Sequence, residues 1–489
     1  MPTRRWLALL WACALARLAF YAAMLPLWEG YDEWSHFAVV RAVAAGHFLP
    51  PRDAPVPADV EASLRSVPVP WELRYLPPPA RTEDAYWAPG NRDRPPGSWP
   101  HLAAYEALQA PLYYWLMGPL VRLLAGCGLP AQVLVLRWVA AFVGSLVIPL
   151  VFALALAIFA DARLALACAA VVAVMPGFAW DVARVGNDCL AVLLFTALLV
   201  LVARRAHWLA IGIVLGFGLL TKAYFLAALV IILWIPRAAL AALAISGWWY
   251  ARNLWTTGTL SGLSEAVMLR RTGTPALVHS AFALPWKTAI DSTLLSHIYF
   301  GGWSSLTVRS WMYHAFYLLI LAAALGCLFA LPSSRVLSRL ALIYAAFWLA
   351  QLYNVVLVYA AKGVPTSMGW YLYAVIGAEV VLATAGLRRI VGPWAPALGA
   401  TLFAALDLYA ANFVAIPYYT GFIRHRPNGA LESFHLSALR PGLVFTRLAA
   451  FKAPPLSPAL EFALWLVCLS ATLTAVAACF RFAITPAGK

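Results

Sequence analysis

The chain has 489 residues, of which 63% are hydrophobic and only 11% charged, with a mean hydropathy of +0.79. Soluble domains run at about 45–50% apolar and about 25% charged, so the composition argues against a soluble enzyme, a disordered chain or a nucleic-acid binder. Lys and Arg number 35 against 20 Asp and Glu, a balance of +15. The acids gather in long polar segments and many arginines sit in short turns between apolar runs. That is the positive-inside pattern of a polytopic membrane protein, not a basic nucleic-acid face.

In chain order, MPTRRW precedes an apolar run without a small-residue cleavage site. It reads as a retained first span, residues 6–27, with Arg4 and Arg5 in the cytosol. Residues 28–131 follow as a long, Pro-rich outer loop carrying eleven of the acids. Two parts of it read as helices, 34–46 and the aromatic PLYYWLMGPLVRLLAG at 111–126. Were 111–126 a span, the later Arg-bearing turns would fall outside. Laid in the interface, it puts them inside.

The remaining spans then read as 132–158, 164–180, 188–203, 208–221, 223–236, 238–255, 311–331, 340–360, 370–386, 392–412 and 459–480. This gives about twelve transmembrane helices with both termini cytosolic. Inside turns hold Arg163, Arg204–Arg205, Arg237, Arg335, Arg339, Arg388–Arg389 and Arg481, with Asp161 the one acid on that side. The expected architecture is one all-α transmembrane domain over 1–489. It has a long periplasmic first loop with juxtamembrane helices, a short turn at 180–188 and smaller outer loops at 256–310 and 413–458. Seven scattered cysteines without a CxxC predict neither a disulfide framework nor a zinc site.

The segment GYDEWSHF, 30–37, places Asp32, Glu33 and His36 together just after the first span. Asp32 falls at the N-terminus of the 34–46 helix, where the dipole favours an ionised carboxylate, as a general base requires. Plain N-capping is the competing explanation. In FAWDVARVGND, 178–188, Asp188 opens a span and Arg184 and Asn187 form an unexpected polar turn on the outside. Lys222 in LLTK and Arg252 in GWWYARNLWTTG also lie on the outer side. Either cation could merely snorkel; together they suit an outer-surface anion site. Glu379 and Asp407 lie within spans and count as functional by default.

These elements, in this order, resemble the GT-C superfamily of integral-membrane glycosyltransferases. The similarity is greatest to a bacterial group related to aminoarabinose transferases and protein O-mannosyltransferases. It rests on Asp32-Glu33-Trp34-Ser35-His36, Pro111 to Tyr114, Gly186 to Asp188, Leu220 to Lys222 and Trp249 to Asn253, with a later GGW at 301–303. The resemblance implies a polyprenyl-phosphate-linked sugar donor and transfer to a glycan, lipid or protein acceptor on the outer face of a bacterial inner membrane. It implies Asp32 as base, with Glu33 as the lesser candidate, and Asp188 as the second-loop acid. His36, Tyr113, Asn187, Lys222, Arg252 and Asn253 become candidate substrate-binding residues.

The departures are Gly369-Trp370-Tyr371-Leu372, where relatives often carry Arg before Tyr-Leu, and a single proline in Gln109-Ala110-Pro111. A single displacement would invert the anomeric centre. No cofactor is expected, and a divalent metal between Asp32 and Asp188 is possible but disfavoured, because two carboxylates make a thin site. The rival class is a secondary transporter or lipid flippase using Glu379 and Asp407. It lacks paired halves with matching interrupted helices.

Overall fold

A computed structural model describes residues 2–52, 54–74, 81–90, 103–450 and 456–484. The Pro-rich stretches at 75–80 and 91–102 in the first outer loop lie outside the described residues. Among the described residues the regular structure is helical, with four isolated β-bridges and no strand.

The helices that position the site are α1 (Pro2–Met24), α2 (Glu33–Ala44), α3 (Leu112–Leu123), α4 (Leu129–Ser145), α5 (Val147–Phe159), α6 (Ala162–Ala173) and α7 (Pro176–Val182). They continue with α8 (Asp188–Ala203), α9 (Trp208–Leu219), α10 (Ala238–Thr257), α11 (Trp286–Ile298), α12 (Ser310–Ala330), α13 (Arg335–Lys362), α14 (Ile376–Val391), α15 (Ala395–Tyr409) and α16 (Pro458–Ile484). Each of the twelve apolar runs is occupied by one helix or a broken pair. Among the described residues, six helical stretches are long and apolar enough to cross a membrane, or seven if α6 and α7, bent by 67° at Met175, form one. The protein is a multi-pass membrane protein.

The 111–126 segment forms a helix of 12 residues, α3. At about 1.5 Å per residue it covers about 18 Å, too short for the ~30 Å hydrocarbon core. Its Gly118 lies where a Cβ would be 3.2 Å from Val43 Cβ, so α3 packs backbone-close against α2. Trp115 of α3 stacks on Phe48, ring centroids 4.4 Å apart.

Three consecutive elements are short for a reason that bears on the site. Helix α8 has 16 residues and α9 has 12, about 24 and 18 Å. The run 223–236 forms an 11-residue 3₁₀-helix, Ala223–Leu233, whose longer rise gives about 22 Å. With Arg204–Arg205 and Arg237 marking one surface, the opposite ends stop about 6–12 Å short of the far boundary of a ~30 Å core. Those ends carry Asp188 and Lys222. The Leu112 N–H at the start of α3 bonds the Leu220 carbonyl at 2.9 Å, so α3 lies beside these ends.

All seven cysteines are free. The core is tied by a buried ion pair between Arg17 of α1 and Asp407 of α15, Nη2 to Oδ1 2.7 Å, with Tyr21 Oη donating to the same carboxylate at 2.5 Å.

Candidate active site

Adjacent acids at the start of α2 have opposite fates. Glu33 is fully buried and accepts two parallel bonds from Arg137 of α4, Nε to Oε1 2.7 Å and Nη2 to Oε2 2.5 Å, plus the Val185 N–H at 2.9 Å. Arg137 also donates to the carbonyls of Leu25 (2.5 Å) and Pro26 (2.6 Å). The pair thus joins the end of α1 to the start of α2, and neither Glu33 oxygen is left free.

Asp32 sits in the left-handed region, φ 56° and ψ 15°, and its side chain does not cap α2. Asp tolerates this conformation better than most residues. Its carboxylate instead accepts the Tyr105 hydroxyl at 2.5 Å. The capping explanation thus does not describe Asp32. The helix N-terminus is expected to keep it ionised, but burial raises its pKa above the ordinary value, against the pull of Tyr105, Arg184 and Lys222.

His36, one turn into α2, is buried. Its Nδ1 lies 2.9 Å from the Tyr114 hydroxyl and its Nε2 3.6 Å from Glu106 Oε2. Burial, with the nearby Arg184 and Lys222 charges, holds its pKa well below the usual range, so the imidazole is neutral. Glu106 is buried, and burial followed by the Asp32 charge pushes it up to about 8. Tyr105 and Glu106 escaped the sequence reading; their only local signal is an acid just before the Pro111–Tyr114 element. Tyr113 is fully buried behind them.

The turn at 180–188 supplies Arg184, and the turn after α9 supplies Lys222. Arg184 Nη2 bonds Asp181 Oδ1 at 2.9 Å and Asp188 Oδ2 at 2.5 Å, while Nη1 donates to the Tyr31 carbonyl at 2.7 Å. Gly30 gives it room, since a Cβ there would lie 2.7 Å from Arg184 Cβ. Lys222 Nζ pairs with the other oxygen of Asp188, and faces the rings of Tyr371 at 5.3 Å and Tyr224 at 5.5 Å. Both oxygens of Asp188 are thus engaged by cationic side chains, and the N-cap of α8, Asn187, makes no side-chain capping bond. Asn187 donates to the Thr221 carbonyl at 3.1 Å and leaves its own Oδ1 buried without a partner. Asp32, Glu106, Asp181 and Asp188 together face two cations, Arg184 and Lys222. Burial, reinforced by the Asp32 charge, favours retaining a proton on Glu106 at neutral pH.

The sequence reading groups Lys222 and Arg252 at one anion site. The structure sets Arg252 among other partners. With Arg52 and Arg270 it lines an open cleft of about 620 Å³. Its guanidinium lies 5.2 Å from the Trp249 ring centroid, while Arg52 and Arg270 are steadied by the carbonyls of Gly262 and Thr257, each at 3.0 Å. Burial and the neighbouring Arg252 lower the Arg52 pKa. Arg252 also borders a second, water-sized cavity with Trp249, Pro111, Val39 and Tyr114. Asn253 is buried and donates to the carbonyl of Ser261 at 3.2 Å, which folds the turn after α10.

In the 369–372 element, Trp370 stacks on Tyr31, centroids 3.6 Å apart and planes at 11°, and Arg184 lies over Tyr31 at 5.4 Å. An aromatic face therefore occupies the position of the missing arginine. The GGW element also finds a place. Ser304 Oγ is 2.9 Å from Glu29 Oε2 and 3.0 Å from Glu83 Oε2, both acids fully buried, and Tyr419 donates to Glu29 at 3.1 Å. A hydroxyl has one proton, so Ser304 can donate to only one carboxyl. The other bond requires an acid O–H. Burial accordingly pushes Glu29 up to about 8 and Glu83 well above the ordinary range. Gly302, at φ +59°, lets Glu29 approach.

The acids of the rival reading are tied elsewhere. Asp407 is held by Arg17. Glu379 accepts from His297 Nε2 at 2.7 Å and Tyr344 at 3.2 Å, at the rim of an apolar cavity of about 410 Å³ between α12, α13, α14 and α15. Among the described residues no group of three or more His, Cys, Asp and Glu is arranged to hold a metal ion.

No family model matches the chain, and no curated protein matches it in sequence. Two solved structures are similar. ArnT from Cupriavidus metallidurans bound to undecaprenyl phosphate shares 16% identity at a TM-score of 0.47, over 98% of this chain and 76% of that one. The same protein in the apo state shares 17% at 0.48, over 99% and 76%.

Proposed function

We propose that the protein is a GT-C-type glycosyltransferase. It moves a sugar from a polyprenyl-phosphate donor to an acceptor hydroxyl on the outer face of a bacterial inner membrane. The observation that carries this reading is Asp32. It is an acid in a conformation that costs about 1–2 kcal/mol for an L-residue, turned away from the helix it begins and bonded to one tyrosine in a cation-lined site. Strain of this kind collects at functional sites.

In this mechanism Asp32 accepts the acceptor's hydroxyl proton as that oxygen bonds to the anomeric carbon. The bond from that carbon to the phosphate oxygen breaks, and the phosphate departs with the electron pair. One displacement inverts the centre. Arg252, with Arg52 and Arg270, neutralises the departing phosphate, as guanidinium forks do. Arg184 and Lys222, both paired with Asp188, lie near enough to Asp32 to ease its ionisation. No step is assigned to a metal. Tyr371, half-buried beside Lys222, offers an aromatic face that suits a sugar ring. Positioning donor and acceptor at the site supplies much of the remaining rate.

The test is release of polyprenyl phosphate by lipid-reconstituted protein offered a panel of polyprenyl-phosphate sugars. Wild type should turn over one of them, and Arg252→Gln should lower kcat as well as kcat/KM for that donor. Folded wild-type protein inert to every donor, while moving a solute or lipid across the bilayer, would replace the proposal with transport.

A further inference from the structure

Asp32 is held from outside its own helix, by a residue 73 positions along the chain. The 3₁₀ turn Tyr105–Leu108 lies against α2 and is latched there by its second residue. The Glu106 N–H donates to Ser35 Oγ at 3.0 Å, one turn after Asp32, and the Glu106 carboxyl faces His36 Nε2 at 3.6 Å. Ser35, His36 and Glu106 are all buried. Tyr105 immediately precedes this latch. Its ring meets Trp34 edge-on, centroids 5.2 Å apart and planes at 87°, and its hydroxyl reaches Asp32 Oδ1 at 2.5 Å. The phenol is thus set by α2 itself, through Trp34 and Ser35, and not by the outer loop that carries it.

Burial, followed by the Asp32 charge, keeps the Tyr105 phenol well above its ordinary pKa, so the hydroxyl donates and the carboxylate accepts. Among the described residues this is the one hydrogen bond to the Asp32 side chain; Oδ2 takes none. A carboxylate tied at one oxygen has a fixed plane, which gives the other oxygen a fixed direction in which to receive a proton. The other groups facing Asp32 act through space. Arg184 and Lys222 favour its charged form and Asp188 opposes it; Glu106, Tyr114 and Tyr371 complete the surroundings. A hydrogen bond to the charged form favours that form, and Tyr105 alone supplies one.

We propose that Tyr105 is the positioning residue for Asp32. It pins Oδ1, turns Oδ2 towards the acceptor hydroxyl and holds the carboxylate ionised against its burial. The inference rests on Asp32 being the base, and it adds to that reading a residue outside every motif quoted from the sequence.

The experiment compares full-length wild type, Tyr105→Phe and a protein carrying a ring-fluorinated tyrosine at position 105, all reconstituted in lipid. Tyr105 is 39% exposed, so loss of its hydroxyl leaves the fold intact. Fluorine makes the phenol a stronger donor without removing it. Ionisation of Asp32 is read without substrate, from the infrared carboxylate signal that Asp32→Asn lacks. The pH dependence of kcat is read with the donor that wild type accepts. Tyr105→Phe should move the Asp32 midpoint and the acid limb of kcat upward by about one pH unit, as loss of a charge-assisted bond does. It should also lower kcat on the plateau by about tenfold, with the donor KM unchanged. The fluorinated tyrosine should move the midpoint and the limb downward. An unmoved midpoint in Tyr105→Phe would overturn the proposal. So would a fall in kcat with the limb in place, which would make Tyr105 merely structural. A midpoint that moves while Asp32→Asn transfers sugar as wild type does would remove Asp32 as the base, and the proposal with it.

Discussion

Replacing Glu33 with Gln and Asp32 with Asn should separate folding from chemistry across one peptide bond. Glu33 is fully buried and takes three bonds, two from Arg137 and one from Val185. The Glu33→Gln change keeps the shape but removes the charge, leaving the Arg137 guanidinium buried without its anion against the carbonyls it also touches. Breaking a buried pair costs about 3–5 kcal/mol. The carbonyls of Leu25 and Pro26 still accept from Arg137, which places the loss towards the lower figure. Asp32→Asn keeps the left-handed conformation that Asn tolerates and neutralises a half-buried carboxylate, so stability should move by less than about 1 kcal/mol. The assay is thermal or denaturant melting in detergent, alongside transfer by the folded fraction. Glu33→Gln should melt lower, with folded protein still active. Asp32→Asn should melt as wild type and be inactive. A Glu33→Gln protein that melts normally and has lost turnover would make Glu33 the base and refute this division of roles.

Other expectations follow from the same contacts. The Glu29–Ser304–Glu83 junction holds a proton that the unfolded chain releases near pH 4.5, whereas folded Glu29 keeps it to about 8. Its stabilising effect is therefore complete below the lower value and lost as pH rises towards the upper one, by about 1.4 kcal/mol per pH unit for one proton. Melting temperature should fall over that window, and Glu29→Gln should flatten the profile. Gly302→Ala forces a Cβ against Glu29 at positive φ and should lower stability by about 1–2 kcal/mol; an unchanged melt would show that the junction yields easily. Glu106, pushed up to about 8, should give activity a basic limb near that pH, and Glu106→Gln should remove it. Arg270→Gln should weaken donor binding by about tenfold or more, as loss of a charge-assisted bond does, read as KM against salt.

What was legible in the sequence was what a local pattern can carry. Hydropathy and arginine placement located the runs read as spans, but not the helices Thr274–Ala283, Trp286–Ile298 and Pro441–Ala450 in segments read as loops; the acid pair after α1 marked the site. Tertiary pairing was not legible. Arg137 is hidden inside an apolar run, 104 residues from the glutamate it holds, and Arg17 lies 390 residues from Asp407. Hence Asp32 and Glu33 looked interchangeable, although one peptide bond turns their side chains to different surroundings. Lys222 and Arg252 looked like one site because both are outer cations. Only packing reveals that Asp188 engages Lys222, while Arg252 faces Arg52 and Arg270. The 3₁₀ winding of Ala223–Leu233 has no signature in an apolar run.

The central claim is that Asp32 takes the acceptor's proton. Its most direct test is single-turnover sugar transfer by reconstituted wild type and Asp32→Asn, with the donor that wild type accepts. The account predicts a fall of about 10²–10⁴ in the rate of polyprenyl phosphate release, with donor affinity and melting temperature unchanged. Transfer by Asp32→Asn within a few-fold of wild type would contradict it and place the base elsewhere in the site.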